Sequence, residues 1–304
     1  MCQKITQFHC LVKLEKDDLM TQKISGINTG AIKFNDKFFL MAVKIKVEDS
    51  TCNTYYMQLS VMLDFIILMR DRAHKAIKKL QDKGEIYKAK IIAEHEKLAM
   101  NIPAFEEEEL QQPNQANLIT SITPKFDDER CTLMVMLQNE NILSLNIADI
   151  QAEFFILAVQ QALSATNDTE TLKQIASILD FLILYFVDLS DLSYLNYKEI
   201  NHQPWKQSLF TQHFAVLYSF EKEQGEEILA GAVIKTNAQP DTEEAKNLIK
   251  RIALLVPELR DIVEKRHLAQ TFMKLIPADQ TQVLTLDECM RPLYEFCLET
   301  QKTL

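Results

Sequence analysis

Short runs of alternating apolar and polar residues give way along the chain to apolar residues at helical spacing. Residues 31–34 and 38–46 predict two strands joined at Asn35-Asp36, residue types that accept the positive φ of a tight turn. A third strand is predicted at residues 53–59. The residues that follow at steps of three or four predict a helix that ends at Gly84: Met62, Ile66, Met69, Ala73, Ile77 and Leu80. Residues 85–100 predict a second helix.

The same succession recurs twice in the remaining sequence. Residues 132–137 and 142–145 predict a hairpin, and two helices follow, of which the second carries an apolar stripe from Leu172 to Leu189. A third hairpin is predicted at residues 214–220 and 228–235. The elements predicted after it are a helix from about 241 to 255, a helix from 257 to about 275, a short strand at 282–286 and a terminal helix at 287–300.

Tight turns between strands imply antiparallel pairing, so the pattern predicts an α+β fold. Antiparallel hairpins or meanders are each followed by amphipathic helices, as in a repeated ββαα unit that forms two or three subdomains. The closest internal match sets residues 40–43 beside residues 133–136. Ordinary α+β alternation is the alternative to a true repeat.

One stretch has the composition of a linker. Residues 101–117 contain two prolines, several amides and four consecutive glutamates. This predicts a linker between an N-terminal α+β domain at residues 1–100 and a C-terminal α+β domain at residues 118–304.

Glycine is scarce, with five in 304 residues. Glycine lets a backbone approach a phosphate closely, and neither a G-x-G nor a P-loop pattern occurs in the sequence. This disfavours a Rossmann or P-loop nucleotide site, and we expect no cofactor.

The net charge of −10 disfavours binding to nucleic acid or to an anionic membrane. The segment from Arg70 to Lys90 departs from this average, with eight basic residues against three acidic ones. Arg72, Lys75 and Lys79 are predicted to share one helix face, which is either a basic surface for an acidic partner or phosphate backbone, or simply a solvated face.

The six cysteines are irregularly spaced, and the first residues lack the apolar stretch of a signal peptide. We therefore expect reduced thiols and a cytoplasmic location. His9-Cys10 with Cys2 is a poor metal-ligand pattern, and we expect no metal. Cys289, near the start of a predicted helix, is interpreted as a buried structural thiol rather than a nucleophile.

Two further groups are candidate sites. His202, Trp205 and His213 lie around Pro204 in a predicted loop, where they form either a ligand loop or a capping loop anchored by the tryptophan. Residues 178–187 are apolar on nearly every side of a predicted helix, which indicates burial. Phe181, Ile183, Leu184 and Tyr185 exceed what one stripe needs, and they are candidates for a subunit interface.

These observations favour a soluble, non-catalytic protein-interaction or accessory protein that self-associates. The alternative is an enzyme with a site near His202, Trp205 and His213 that matches no sequence motif. A third interpretation, binding of nucleic acid through Arg70 to Lys90, is disfavoured because Tyr87 is the only aromatic residue there.

Overall fold

The computed structural model describes residues 21–191, 196–255, 257–263, 265–280 and 282–304, and within them it contains two β-sheets. The first sheet is a closed barrel. Its strands are β1 (Gln22–Phe34), β2 (Lys37–Val47), β3 (Cys52–Met57), β4 (Leu118–Phe126), β5 (Arg130–Leu137) and β6 (Ile142–Ala148). The second sheet has strands β7 (Phe181–Asp188), β8 (Asn196–Glu199), β9 (Gln212–Glu221), β10 (Glu226–Thr236) and β11 (Leu268–Ile276).

Helices follow or cover these strands. They are α1 (Leu59–Lys83), α2 (Glu85–Met100), α3 (Glu107–Gln111), α4 (Ala152–Ser164), α5 (Thr169–Ile178), α6 (Pro204–Gln207), α7 (Glu243–Leu255), α8 (Pro257–Val263) and α9 (Leu286–Gln301). The α+β fold class, with antiparallel hairpins and meanders, is confirmed. No helix in the described ranges is long and apolar enough to cross a membrane.

Two three-stranded antiparallel meanders, β1–β2–β3 and β4–β5–β6, form the barrel. Two parallel junctions join them, one between β3 and β4 and one between β1 and β6. The two predicted domains therefore share one closed sheet, and the predicted linker at 101–117 connects its two halves. Helix α1 follows the first meander and helix α4 follows the second, so the two halves of the barrel have the same order of elements, three strands and then a helix.

The barrel interior is filled by alternate apolar side chains. In β5 the inward residues Cys131, Leu133, Val135 and Leu137 are buried, whereas Met134 and Met136 face outward and are exposed. Met41 of β2 is fully buried, so the match of residues 40–43 with 133–136 aligns an inward Met41 with an outward Met134. That match is wrong by one residue, because a shift of one position exchanges the two faces of a strand.

Residues 101–117 lie across the outside of the first meander. Phe105 and Leu110 pack against Leu40 and Tyr56, on the outward face of the barrel strands. A Cβ on Gly26 in β1 would lie 2.0 Å from the carbonyl oxygen of Asn101. The chain can therefore run this close to the barrel only because residue 26 has no side chain.

The second sheet has the strand order β11–β9–β10–β7–β8, and every pairing in it is antiparallel. Helices α7 and α8 cover one face, on which Phe214, Val216 and Tyr218 of β9 are buried. Helix α9 covers the other face, where Ala215 and Leu217 join the same core as the barrel interior. The barrel and the second sheet thus share one continuous apolar core.

The predicted helix through residues 178–187 is wrong, because this segment forms strand β7. A bulge in its pairing with β10 lets the neighbours Leu184 and Tyr185 face the same side of the sheet. Phe181 and Ile183 face the opposite side, towards α7. The predicted burial is present, since Phe181, Leu184 and Tyr185 are buried and Ile183 is partly buried within this chain.

The region after Pro257 also differs from the prediction. Helix α8 ends at Val263, and residues 268–276 form strand β11 instead of continuing the helix. Residues 282–285 are not a strand, and strand β4 was not predicted at all. For strands β4 and β11, pairing with a neighbouring strand, which local spacing does not reveal, decides the structure.

Candidate functional site

A polar pocket lies between helix α1 and one end of the second sheet. Its volume is about 490 Å³, which is within the range of small-molecule sites. Helix α1 forms one wall, and the opposite wall comes from the start of β7, the loop before β9, the loop after β10 and the loop after β11. The main polar residues of the lining are Arg70, Asp71, His74, Asp180, Thr211, Thr236, Asn237, Gln239, Glu244 and Gln280.

Asp180 joins the two sides of this pocket. Its Oδ1 accepts a hydrogen bond from Arg70 Nη2 of α1 at 2.9 Å, and its Oδ2 accepts one from Arg251 Nη2 of α7 at 3.0 Å. Each arginine uses one terminal nitrogen here, and the Nε of Arg251 is buried without a hydrogen-bond partner in the described part of the chain. One carboxylate thus lies between two guanidinium groups that keep further N–H donors.

Short hydrogen bonds hold the opposite wall in place. The side chain of Asn237 accepts from the backbone N–H of Thr211 at 2.9 Å and donates to the carbonyl oxygen of Leu209 at 3.1 Å. Thr236 donates its hydroxyl proton to the carbonyl oxygen of Asp180 at 2.7 Å. These bonds connect three strand ends and so hold the wall in one arrangement.

A buried basic pair lies close to this wall. His213 of β9 is directly opposite Lys235 of β10 in the sheet, and both side chains are buried. The ammonium of Lys235 donates to the carbonyl oxygen of Gln280 at 2.8 Å, whereas neither ring nitrogen of His213 has a partner among the described residues. Burial, together with the neighbouring Lys235, lowers the pKa of His213 to about 4.

The three residues of the predicted ligand loop do not converge on the pocket. His202 donates from Nε2 to the carbonyl oxygen of Ile183 at 2.8 Å, and Trp205 donates to the side chain of Gln203 at 2.6 Å. Trp205 packs against the core. The same loop nevertheless contributes to the pocket, since Leu209, Phe210 and Thr211 line it.

The basic surface predicted at Arg72, Lys75 and Lys79 does not form as one exposed face, because the Arg72 side chain is only 1% exposed. Its guanidinium contacts Asp71 at 3.0 Å and the buried Asp149 at 3.4 Å. Lys79 contacts Asp149 at 3.3 Å, and Lys75 contacts Asp71 at 3.0 Å. These cations are engaged by carboxylates of their own chain, so Arg72 is not available to an external phosphate.

The described cysteines are free thiols. Burial raises the pKa of Cys289 to about 12 and the pKa values of Cys131 and Cys297 to about 11. Protonated thiols are poor nucleophiles, which agrees with the structural interpretation of Cys289. The candidate metal ligands Cys2, His9 and Cys10 lie outside the described residues.

Sequence reasoning missed Arg70, Asp180 and Arg251 as a group, because more than a hundred residues separate Arg70 from Asp180. One signal was present. Asp180 is the single charged residue between the apolar residues of α5 and those of β7. An acidic residue in such a position requires a partner, and two arginines provide it.

Comparison with known proteins identifies a sequence family. A family model described as YjeJ-like matches residues 20–303. The chain is also similar to the "Uncharacterized protein YjeJ" of Escherichia coli (strain K12), with 29% identity over 291 residues, covering 93% of this chain and 98% of that protein. No solved structure matches.

Proposed function

The chain belongs to the YjeJ-like family over both of its sheets, and from that premise we propose that it is a non-catalytic accessory protein of the cytoplasm that works by self-association. The observation that carries this proposal is strand β11. It pairs with β9 on one side, and no described strand pairs with its other side. An open edge of this kind is a template for a strand from another chain.

The hydrogen-bonding direction along β11 supports pairing at this edge. The backbone N–H of Gln270 points towards β9, since it donates to the hydroxyl of Ser219. Backbone groups alternate in direction along a strand, so the N–H groups of Thr271 and Met273 point away from β9. These groups are the donors that a second chain would use.

The side chains around β11 suit a second copy of the same chain. β11 carries a single charge, Lys274. Antiparallel self-pairing centred on Phe272 would set Gln270 opposite Lys274 of the partner subunit, so that no like charges meet. Helices α7 and α9, which contact β11 from its two faces, expose Leu254 and Leu298, and Leu275 is exposed on the strand itself. Dimerisation would remove such apolar surface from water.

The catalytic alternative has less support. None of His202, Trp205 and His213 lines the polar pocket, and the described buried thiols have raised pKa values. Nucleic-acid binding through residues 70–90 is likewise weakened by the engagement of Arg72, Lys75 and Lys79 with carboxylates.

The test is the mass of the protein in solution, measured by light scattering after size exclusion. We expect a species of twice the chain mass that dissociates on dilution. Thr271→Pro removes an outward N–H without removing a bond to β9, so this variant should have the mass of one chain. Thr271→Val keeps the N–H and should remain a dimer.

Two results would contradict self-association through β11. One is a wild-type protein with the mass of a single chain at every concentration. The other is a Thr271→Pro variant that is folded by circular dichroism and remains dimeric. If Thr271→Pro does not fold, Leu275→Lys places a charge at an exposed position of the same edge and should give the same dissociation.

A further inference from the structure

A second groove, of about 520 Å³, runs along strand β1 and has helix α4 as its other wall. It shares no lining residue with the polar pocket, and its volume is within the range of ligand sites. Residues 27–31 of β1 line it one after another. Successive side chains of a strand point to opposite faces, so an unbroken run of lining residues means that the groove follows the edge of the strand.

Most of this edge of β1 is free. On one side β1 pairs with β2 along residues 24–34. On the other side its pairing with β6 is limited to Gln22 and Lys23, and no other described strand pairs there. The barrel therefore closes over two residues of β1, and the rest of that edge faces the groove.

Backbone groups of β1 point into the groove. The N–H of Thr29 donates to the side chain of Asn28 at 2.9 Å, which shows that it is directed away from β2. Backbone groups alternate in direction along a strand, so the N–H and C=O groups of Ile27 and Ala31 point the same way as those of Thr29. A further strand would pair with these groups.

Hydrogen bonds hold an element against each face of β1 beside this edge. Thr29 donates its hydroxyl proton to the carbonyl oxygen of Ala158 at 2.7 Å and so holds α4 against one face. Asn28, whose side chain points to the opposite face, donates to the carbonyl oxygen of Pro103 at 2.8 Å. The neighbouring Ile102 lines the groove from that face. A strand added to the edge would thus lie between α4 and Ile102.

Two exposed apolar residues and one cation determine which segment fits. Leu157 of α4 is 54% exposed and Ile102 is 51% exposed, and a strand between them would remove apolar surface from water. Lys33, near the end of β1, is the one charged residue among the described lining. Its ion pair with the fully exposed Asp36 is long, at 3.9 Å, so its ammonium remains accessible.

We propose that this groove binds an extended peptide segment of a partner protein, which adds to β1 as a further strand. Apolar residues at successive positions of the peptide lie alternately against α4 and against Ile102. An aspartate or glutamate of the peptide pairs with Lys33. In strand addition of this kind, main-chain hydrogen bonds provide affinity and the side-chain contacts provide specificity.

The proposal goes beyond self-association through β11, because none of the groove residues lies in that strand. Since β11 also has a free edge, the Thr271→Pro variant is a control for the site of peptide binding. It should bind the peptide like the wild type. Peptide binding that is lost in Thr271→Pro and kept in the groove variants would assign the peptide to β11 and overturn the groove proposal.

The test is selection of phage-displayed random peptides of about eight residues on the immobilised full chain. The selected sequence is then synthesised and titrated by fluorescence anisotropy. We expect a consensus of about four consecutive apolar residues with an aspartate or glutamate at one end. Selection that enriches no sequence overturns the proposal.

Methylation of the peptide backbone tests main-chain pairing directly. N-methyl groups at alternate residues remove the donors that face β1, and they should weaken binding about tenfold or more. N-methyl groups in the other register face away from β1 and should have a smaller effect. A peptide that tolerates methylation in both registers is not bound as a strand, and that result overturns the proposal.

Reversal of the charge at Lys33 tests specificity. Lys33→Glu should weaken binding of the acidic peptide about tenfold or more, and a repeated selection should replace the acidic residue by lysine or arginine. Lys37→Glu is the matched control, because Lys37 is an exposed lysine of the same hairpin outside the groove lining. A Lys33→Glu variant with the affinity and the consensus of the wild type overturns the proposal.

Substitution of Leu157 tests the apolar wall. Leu157→Ser should weaken peptide binding about fivefold to tenfold, whereas Leu254→Ser, the same change at an exposed leucine of α7, should leave it unchanged. Because both leucines are exposed, both variants should fold, and circular dichroism establishes that they do. Equal affinities of the two variants would place the peptide outside the groove and overturn the proposal.

Discussion

Replacement of His213 by leucine removes the buried imidazole while keeping a side chain of similar volume. Both ring nitrogens lie in the core without partners in the described part of the chain, and Lys235 is directly opposite. At pH 7 the variant should be as stable as the wild type or more stable. Removing an unsatisfied buried polar group relieves its desolvation penalty, and leucine keeps the packing.

The larger effect is on the pH dependence of stability. The pKa of His213 is lowered from 6.5 to about 4 in the folded protein, so between these values the unfolded chain binds more protons than the folded one. The stability that depends on a neutral His213 is fully present above pH 6.5 and is lost as the pH falls towards 4. Two and a half pKa units correspond to about 3 kcal/mol in total, and about 2 kcal/mol of this is lost between pH 7 and pH 5.

The assay is urea unfolding of both proteins at several pH values from 7 to 5, followed by the fluorescence of Trp205. Carboxylates that titrate at lower pH contribute equally to both proteins, so the difference in the free energy of unfolding isolates His213. His267→Leu is the control. His267 is exposed and paired with Glu221, and its replacement should leave the slope nearly unchanged.

A free energy of unfolding that falls equally in wild type and His213→Leu over this range would refute the reasoning. The imidazole would then have the same pKa in the folded and unfolded chain. That requires a hydrogen-bond acceptor or solvent access at His213, contrary to its burial.

Two other substitutions test the packing around the barrel. Arg72→Met leaves the buried carboxylate of Asp149 paired with Lys79 alone, and urea titrations should show a loss of about 3–5 kcal/mol in the free energy of unfolding. Lys75→Gln removes a half-exposed ion pair and should lower the free energy of unfolding by less than about 1 kcal/mol. Equal costs would contradict the network. Gly26→Ala places a methyl group against the Asn101 carbonyl oxygen, which should destabilise the folded protein by about 1–3 kcal/mol and so lower its melting temperature. An unchanged melting temperature would contradict the close approach of the two backbones.

Features that depend on neighbouring residues could be predicted from the sequence. The turns at Asn35-Asp36 and Gly225 adopt the positive φ values that their residue types permit, Glu140 adopts one although its type does not favour it, and the hairpins around all three were predicted correctly. Helices α1 and α2 follow from the apolar spacing and the break at Gly84. In these places the local chemistry is sufficient.

Features that depend on distant pairing could not be predicted. Strand β4 carries Pro124 and alternates only loosely, and its place in the barrel is set by pairing with β3 and β5. The bulge in β7 makes a strand resemble a helix in its apolar spacing. The pocket likewise combines Arg70 of α1 with Asp180 and Arg251, a combination that exists only once the second sheet is in place.

The parallel junction between β1 and β6 affects how the chain folds as it is synthesised. Thr21 and Ser144, whose hydroxyls meet next to this junction, are 123 positions apart, so the first strand emerges from the ribosome long before its partner exists. Until then the outer edges of β1 and β3 are unpaired, and such edges attract other strands during folding. Closure of a sheet over so long a loop is also slow. We therefore expect residues 1–100 expressed alone to aggregate. The full chain should reach its native state only after the end of β6, Ala148, has emerged from the ribosome.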